Sequence, residues 1–174
     1  SEPDGQVHAI DACGAAAEAA TLARYDGLAA IPWRGPLASN TVAGTISGWE
    51  AALDADEGAL PLARLLRDAI HHAEAGVVVT KGGAEIAAAK GAELRDLPGA
   101  YATTFEPEHR PLAEGDVLRQ PVLAQTLSRL ATSGCRDFYE GAIARSIAQD
   151  LERIGSPVSG ADLARHRATR PAPL

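Results

Sequence analysis

The chain has 174 residues, a single-domain length that is enough to bury a core. Its 16 Lys and Arg face 23 Asp and Glu, a net charge of −7. With the basic residues scattered among acidic ones, this excludes a nucleic acid or an anionic membrane surface as partner. Aromatics make up only 4% and the apolar total leans on alanine and leucine, a composition suited to packed helices rather than sheet. No apolar run approaches the roughly 18 residues of a bilayer span.

Near its start the chain carries a turn signal, Pro3-Asp4-Gly5, followed by Val7-His8-Ala9-Ile10-Asp11, which alternates apolar and polar residues. This predicts a strand over 7–12, the second of a hairpin. Residues 14–38 are alanine-rich, then punctuated by Ile31-Pro32-Trp33-Arg34-Gly35-Pro36, and read as irregular loop with a short helical turn. Helices are expected within 41–165. Val42, Ile46, Trp49 and Leu53 form one helical stripe. Leu62, Leu65, Leu66, Ala69, Ile70 and Ala73 form another, with Pro61 suited to its first turn and Gly76 to its stop. Residues 82–95 read as a weaker, alanine-rich helix. Leu123, Leu127 and Leu130 mark a helix opened by Pro121 and closed near Gly134, and Ile143, Ile147, Leu151 and Ile154 a further one ended by Gly155. Ser159, with Asp162 three residues on, is a capping pattern for a short helix to about Arg165. The tail, 166–174, carries two prolines and no helical period, and reads as an edge strand or an extended exit.

Few combinations of these residues could do chemistry unaided. His71 and His72 are adjacent on a helix and point about 100° apart, so they cannot both ligate one ion; no His-Glu-x-x-His occurs, and no metal or cofactor is expected. Gly82-Gly83 follows Lys81 without phosphate-loop spacing, and Gly44 and Gly48, four apart on a helix, read as packing glycines. Thr45-Ile46-Ser47-Gly48-Trp49 lacks the first glycine of a serine elbow. Cys13 and Cys135 can be two free thiols or a disulfide, so the compartment stays open, and a dyad of Cys13 with a distant histidine is a weak alternative.

Four ordered blocks carry a resemblance to a known family. They are Val7-His8-Ala9-Ile10-Asp11 with Thr21 following; Thr41-Val42-Ala43-Gly44 through Gly48-Trp49-Glu50-Ala51-Ala52-Leu53; Leu60-Pro61-Leu62 to Ile70, then Ala73 to Val79; and Gly115-Asp116-Val117-Leu118-Arg119-Gln120-Pro121 through Asp137-Phe138-Tyr139-Glu140-Gly141 to Ile147, continued by Asp162 to Ala168. Together they cover most of the chain and resemble the large subunit of gamma-glutamyltranspeptidases, members of the N-terminal-nucleophile hydrolases. The resemblance implies a mainly α fold, the helical layer of an αββα hydrolase, with a short N-terminal strand and an extended C-terminal segment. It places Ser1, in a chain without methionine, inside a hairpin, so a processed or excised end is expected.

Members of this family are made as one precursor that cleaves itself, and the new N-terminal threonine of the small subunit attacks an amide carbonyl. No stretch of these residues is similar to that site. The expected partners are therefore the small subunit of the same precursor, which carries the nucleophile, and a small-molecule amide substrate; no catalytic residue is expected within 1–174. One position departs from the pattern. Two residues after the aspartate matching Asp11, gamma-glutamyl enzymes have an arginine that grips the substrate's alpha-carboxylate, and here that position is Cys13. A thiol cannot supply a planar, charged, bidentate donor pair, and a buried carboxylate left unpaired costs on the order of 2–4 kcal/mol. This favours another small acyl amide, of the oxamate or cephalosporin-side-chain type. Cys13 and Arg34 are the candidate substrate-binding residues, Arg34 as a replacement cation. A true gamma-glutamyltransferase and a non-catalytic helical scaffold are the alternatives.

Overall fold

The computed structural model describes residues 7–55 and 60–173, so the turn signal at Pro3-Asp4-Gly5 lies outside the described residues. The chain divides into two compact units. One takes the chain up to Pro32, from Pro36 to Leu60 and from Ser133 onward; the other takes Trp33–Gly35 and Pro61–Thr132. The fold is mainly α, as the composition and the stripes predict, with one antiparallel pair of two-residue strands among the described residues.

In the first unit, a 3-10 turn at Leu22–Tyr25 interrupts the irregular stretch, with the Thr21 side chain capping it. Helix α1 spans Thr45–Ala55 and buries Ile46 and Ser47. Val42, expected on its stripe, is buried but precedes the helix, because its N–H donates to the carbonyl of Ala15 (3.0 Å) in a bridge between chain segments. The unit also holds the short α6 (Asp137–Glu140), the amphipathic α7 (Ala142–Arg153) and α8 (Gly160–Arg165), which pack on one another. Tyr139, Ile143, Ala144 and Leu163 are buried where these helices meet. The capping pattern read at Ser159 and Asp162 is a complete capping box.

The second unit starts with α2 (Leu62–Ala75), preceded by Pro61 and ended by Gly76 at φ 95°, a left-handed conformation suited to glycine. Strand β1 (Val77–Val78) pairs antiparallel with β2 (Val117–Leu118), Val77 opposite Leu118 and Val78 opposite Val117. Between them run α3 (Lys81–Leu94), capped by the Thr80 hydroxyl, and α4 (Tyr101–Phe105), and α5 (Pro121–Ser133) follows. Arg95 makes a bidentate pair with Glu106 (2.8 Å for both bonds), whose carboxylate is almost fully buried. Gly91 passes this carboxylate closely: a Cβ there would stand 3.1 Å from Glu106 Oε1.

The N-terminal strand expected over 7–12 is extended chain with one bridge residue, Asp11, paired with Thr169 of the extended tail. A strand is defined by a ladder of partner bonds, and among the described residues only this exchange is made (2.9 and 2.8 Å).

Candidate functional site

In the first unit the segment 11–17 is pinned at both ends. Asp11 exchanges two backbone hydrogen bonds with Thr169, and the N–H of Ala17 donates to the carbonyl of Asn40 (2.9 Å) beside the Ala15–Val42 bond. Two glycines let the backbones come this close. A Cβ at Gly14 would overlap the Val42 carbonyl oxygen, and one at Gly44 would overlap the Ala12 carbonyl oxygen. Gly48, with a Cβ position 3.0 Å from the Ala12 side chain, continues the close face, so the glycines on α1 act in packing. The tail is pinned in turn: the Ala168 N–H donates to Ser47 Oγ (2.7 Å), and Arg136 Nη1 donates to the His166 carbonyl (3.3 Å).

Cys13 sits between these anchors. Its N–H donates to Asp11 Oδ1 (2.8 Å), and this bond holds the Asp11 carboxyl below the usual range. The thiol hydrogen-bonds the same carboxylate, which, with the carboxylate's charge, pushes the thiol up. Cys13 is exposed, yet at neutral pH it is a neutral thiol rather than a thiolate nucleophile. It lines a cavity of about 240 Å³ together with Ala15, Ala16, Val42, Asp162, Arg165, His166 and Arg167, all of the first unit.

The polar part of this wall comes from the end of α8 and the residues after it. Asp162 accepts from Ser159 N–H and Oγ (2.9 and 2.6 Å), from Glu18 N–H (3.1 Å) and from Arg165 Nη2 (2.7 Å). Burial alone would raise its carboxyl, but these bonds outweigh it and hold the group low. Arg165 Nη2 also reaches Glu18 Oε2 (3.0 Å). Arg167 is held by the carbonyls of Ala164 and His166 (2.7 Å each) and by Glu140 (2.6 Å). His166 is buried against the Tyr139 ring (5.3 Å between centroids), and its Nε2 has no hydrogen-bond partner among the described residues. Burial, then the charges of Arg136 and Arg167, hold this imidazole below its ordinary range, so it is neutral at pH 7.

Cys13 and His166 thus share a cavity, as a cysteine–histidine dyad would require, but the thiol's hydrogen bond goes to Asp11 and not to an imidazole. Arg34 belongs to the second unit, is half-exposed, and pairs with Glu93 (Nε to Oε2, 3.7 Å). Sequence reading did not single out Arg165, His166 and Arg167 as site residues. The available signal was two arginines flanking a histidine just after a well-capped helix. Among the described residues no group of three His, Cys, Asp or Glu side chains could hold a metal ion, and no helix is long and apolar enough to cross a membrane.

The fold is the helical portion of an N-terminal-nucleophile hydrolase. Of the solved structures it resembles, Helicobacter pylori gamma-glutamyltranspeptidase matches with a TM-score of 0.91 at 28% identity, covering 99% of this chain and 50% of that one. Cephalosporin acylase from Bacillus halodurans matches with a TM-score of 0.89 at 29% identity, covering 99% of this chain and 33% of that one. The sequence profile of the gamma-glutamyltranspeptidase family matches residues 1–174, and the chain belongs to that family. It is 48% identical over 176 residues to the oxamate amidohydrolase proenzyme of Klebsiella pneumoniae subsp. pneumoniae, across 99% of this chain and 33% of that protein. The chain thus spans between a third and a half of these relatives' length.

Proposed function

We propose that this chain is the large-subunit portion of a threonine-nucleophile amidohydrolase that cleaves a small acyl amide, the nucleophile lying outside these 174 residues. The observation that carries the reading is the Cys13 thiol, hydrogen-bonded to Asp11 and lining a small cavity, at the position where the family resemblance implies an arginine. The 48% identity to a protein named as an oxamate amidohydrolase proenzyme supports the same substrate type.

In this reading the threonine hydroxyl of the companion polypeptide attacks the amide carbonyl while its own free amine takes the hydroxyl proton. A C–O bond forms, the carbonyl electrons move to oxygen, and backbone donors of the small subunit hold the oxyanion. The C–N bond then breaks, the proton passes to the departing amine, and an acyl ester remains. Water adds to that ester with the same amine as base, releasing the acid and restoring the threonine. The present chain does none of these steps; it shapes the wall against which the acyl group rests. Cys13 forms part of that wall.

The test uses the whole precursor that contains this chain. On standing it should yield two polypeptides, the second opening with threonine, and should release ammonia from oxamate. Replacing that threonine by alanine should stop both events. A precursor that stays uncleaved, or an alanine variant that still turns over, overturns the reading.

A further inference from the structure

We propose that Arg165 is the cation that recognises the substrate's acyl group, and that the group it recognises is a carboxylate carried by a small acyl amide. The inference rests on the hydrolase reading above and deepens it. Arg165 lines the same cavity as Cys13, at the last turn of α8. Its tethers to Asp162 and Glu18 both run through Nη2, which leaves Nε and Nη1 free of the bonds found among the described residues. A guanidinium held at one corner is positioned with donors to spare for a planar carboxylate.

The surroundings favour the same ligand. Arg167 adds a second positive charge to the wall, already fixed by two carbonyls and Glu140. His166, also on this wall, is neutral and adds no charge to it. Asp162, the acidic group on the wall, is turned to the Ser159 cap, Glu18 N–H and Arg165. A cavity of about 240 Å³ suits an acyl group of a few heavy atoms.

The test measures binding of oxalate, a small carboxylate that cannot be hydrolysed, to the processed full-length protein by calorimetry. Arg165→Gln should weaken oxalate at least tenfold, and Arg165→Lys should recover part of that loss. Ser159→Ala, which loosens the α8 cap without touching the guanidinium, should stay within threefold of the parent, and Arg34→Gln within twofold. The inference is overturned if the parent protein does not bind oxalate, if Arg165→Gln binds it as the parent does, if Ser159→Ala reproduces the loss, or if Arg34→Gln carries it. Oxalate binding that depends on Arg165 in a protein that hydrolyses no amide would sink the hydrolase reading and leave this inference standing.

Discussion

Cys13 is where single side chains carry most meaning in this molecule. Its thiol shares the Asp11 carboxylate with its own backbone N–H, so it stays protonated. Cys13→Arg in the full-length protein should therefore produce no large gain on gamma-glutamyl anilides, because a new guanidinium would enter a wall that already holds Arg165 and Arg167. A gain of a hundredfold or more in kcat/KM would instead identify a gamma-glutamyl pocket whose clamp has drifted. Tyr139 is a second such point. Its hydroxyl donates to the Ala43 carbonyl (2.8 Å) and accepts from the Ser47 N–H (2.9 Å), both ahead of or within the first turn of α1. Tyr139→Phe leaves these two backbone groups without their partner in a buried place. It should cost about 1–3 kcal/mol, read from the urea midpoint. Gly44→Ala, whose methyl would meet the Ala12 carbonyl oxygen, should cost at least as much through overpacking, about 1–3 kcal/mol by the same measurement.

Among the helices, α8 offers the clearest test, because its capping box also builds the cavity wall. Ser159→Ala should cost about 0.5–2 kcal/mol. The same cap sets a pH dependence. Asp162 is held below its ordinary value of 3.8, so its contribution to stability is fully present above that value and is lost as pH falls through the lower, folded value. The stability difference between the parent and Asp162→Asn should be constant from pH 5 to 7 and shrink as the medium is taken below about pH 4. A difference that grows with acid would contradict the assignment. Helices with strong local signals were legible in the chain: α2 between Pro61 and Gly76, α5 from Pro121, α7 ended by Gly155, and α8 with its serine cap. The short elements were not. Two-residue strands at Val77–Val78 and Val117–Leu118 show no alternation to read, and α4 and α6 are too short to display a stripe. Burial was only partly legible: Leu65 lies on the α2 stripe beside buried Leu66 and is still 49% exposed.

For the molecule as a whole, the proposed two-polypeptide arrangement makes one further prediction. Residues 1–174 incubated alone with oxamate should release no ammonia, and turnover should follow only when the companion polypeptide is supplied in the same precursor. Robust turnover by the isolated chain would place a nucleophile within it. The chain's own residues determined its helical class, most helix ends and its family, because stripes, caps and short motif blocks are each written in a few neighbouring positions. They also exposed the departure at Cys13 from the pattern that the family resemblance implies, since that is a matter of which side chain occupies one position. Only the tertiary structure decided what surrounds that thiol. Asp11 and Thr169 meet because the chain returns on itself, and with that pairing Arg165, His166 and Arg167 come to line the Cys13 cavity. Separation along a chain holds no information about such a meeting; backbone pairing and two glycines that admit close approach bring it about.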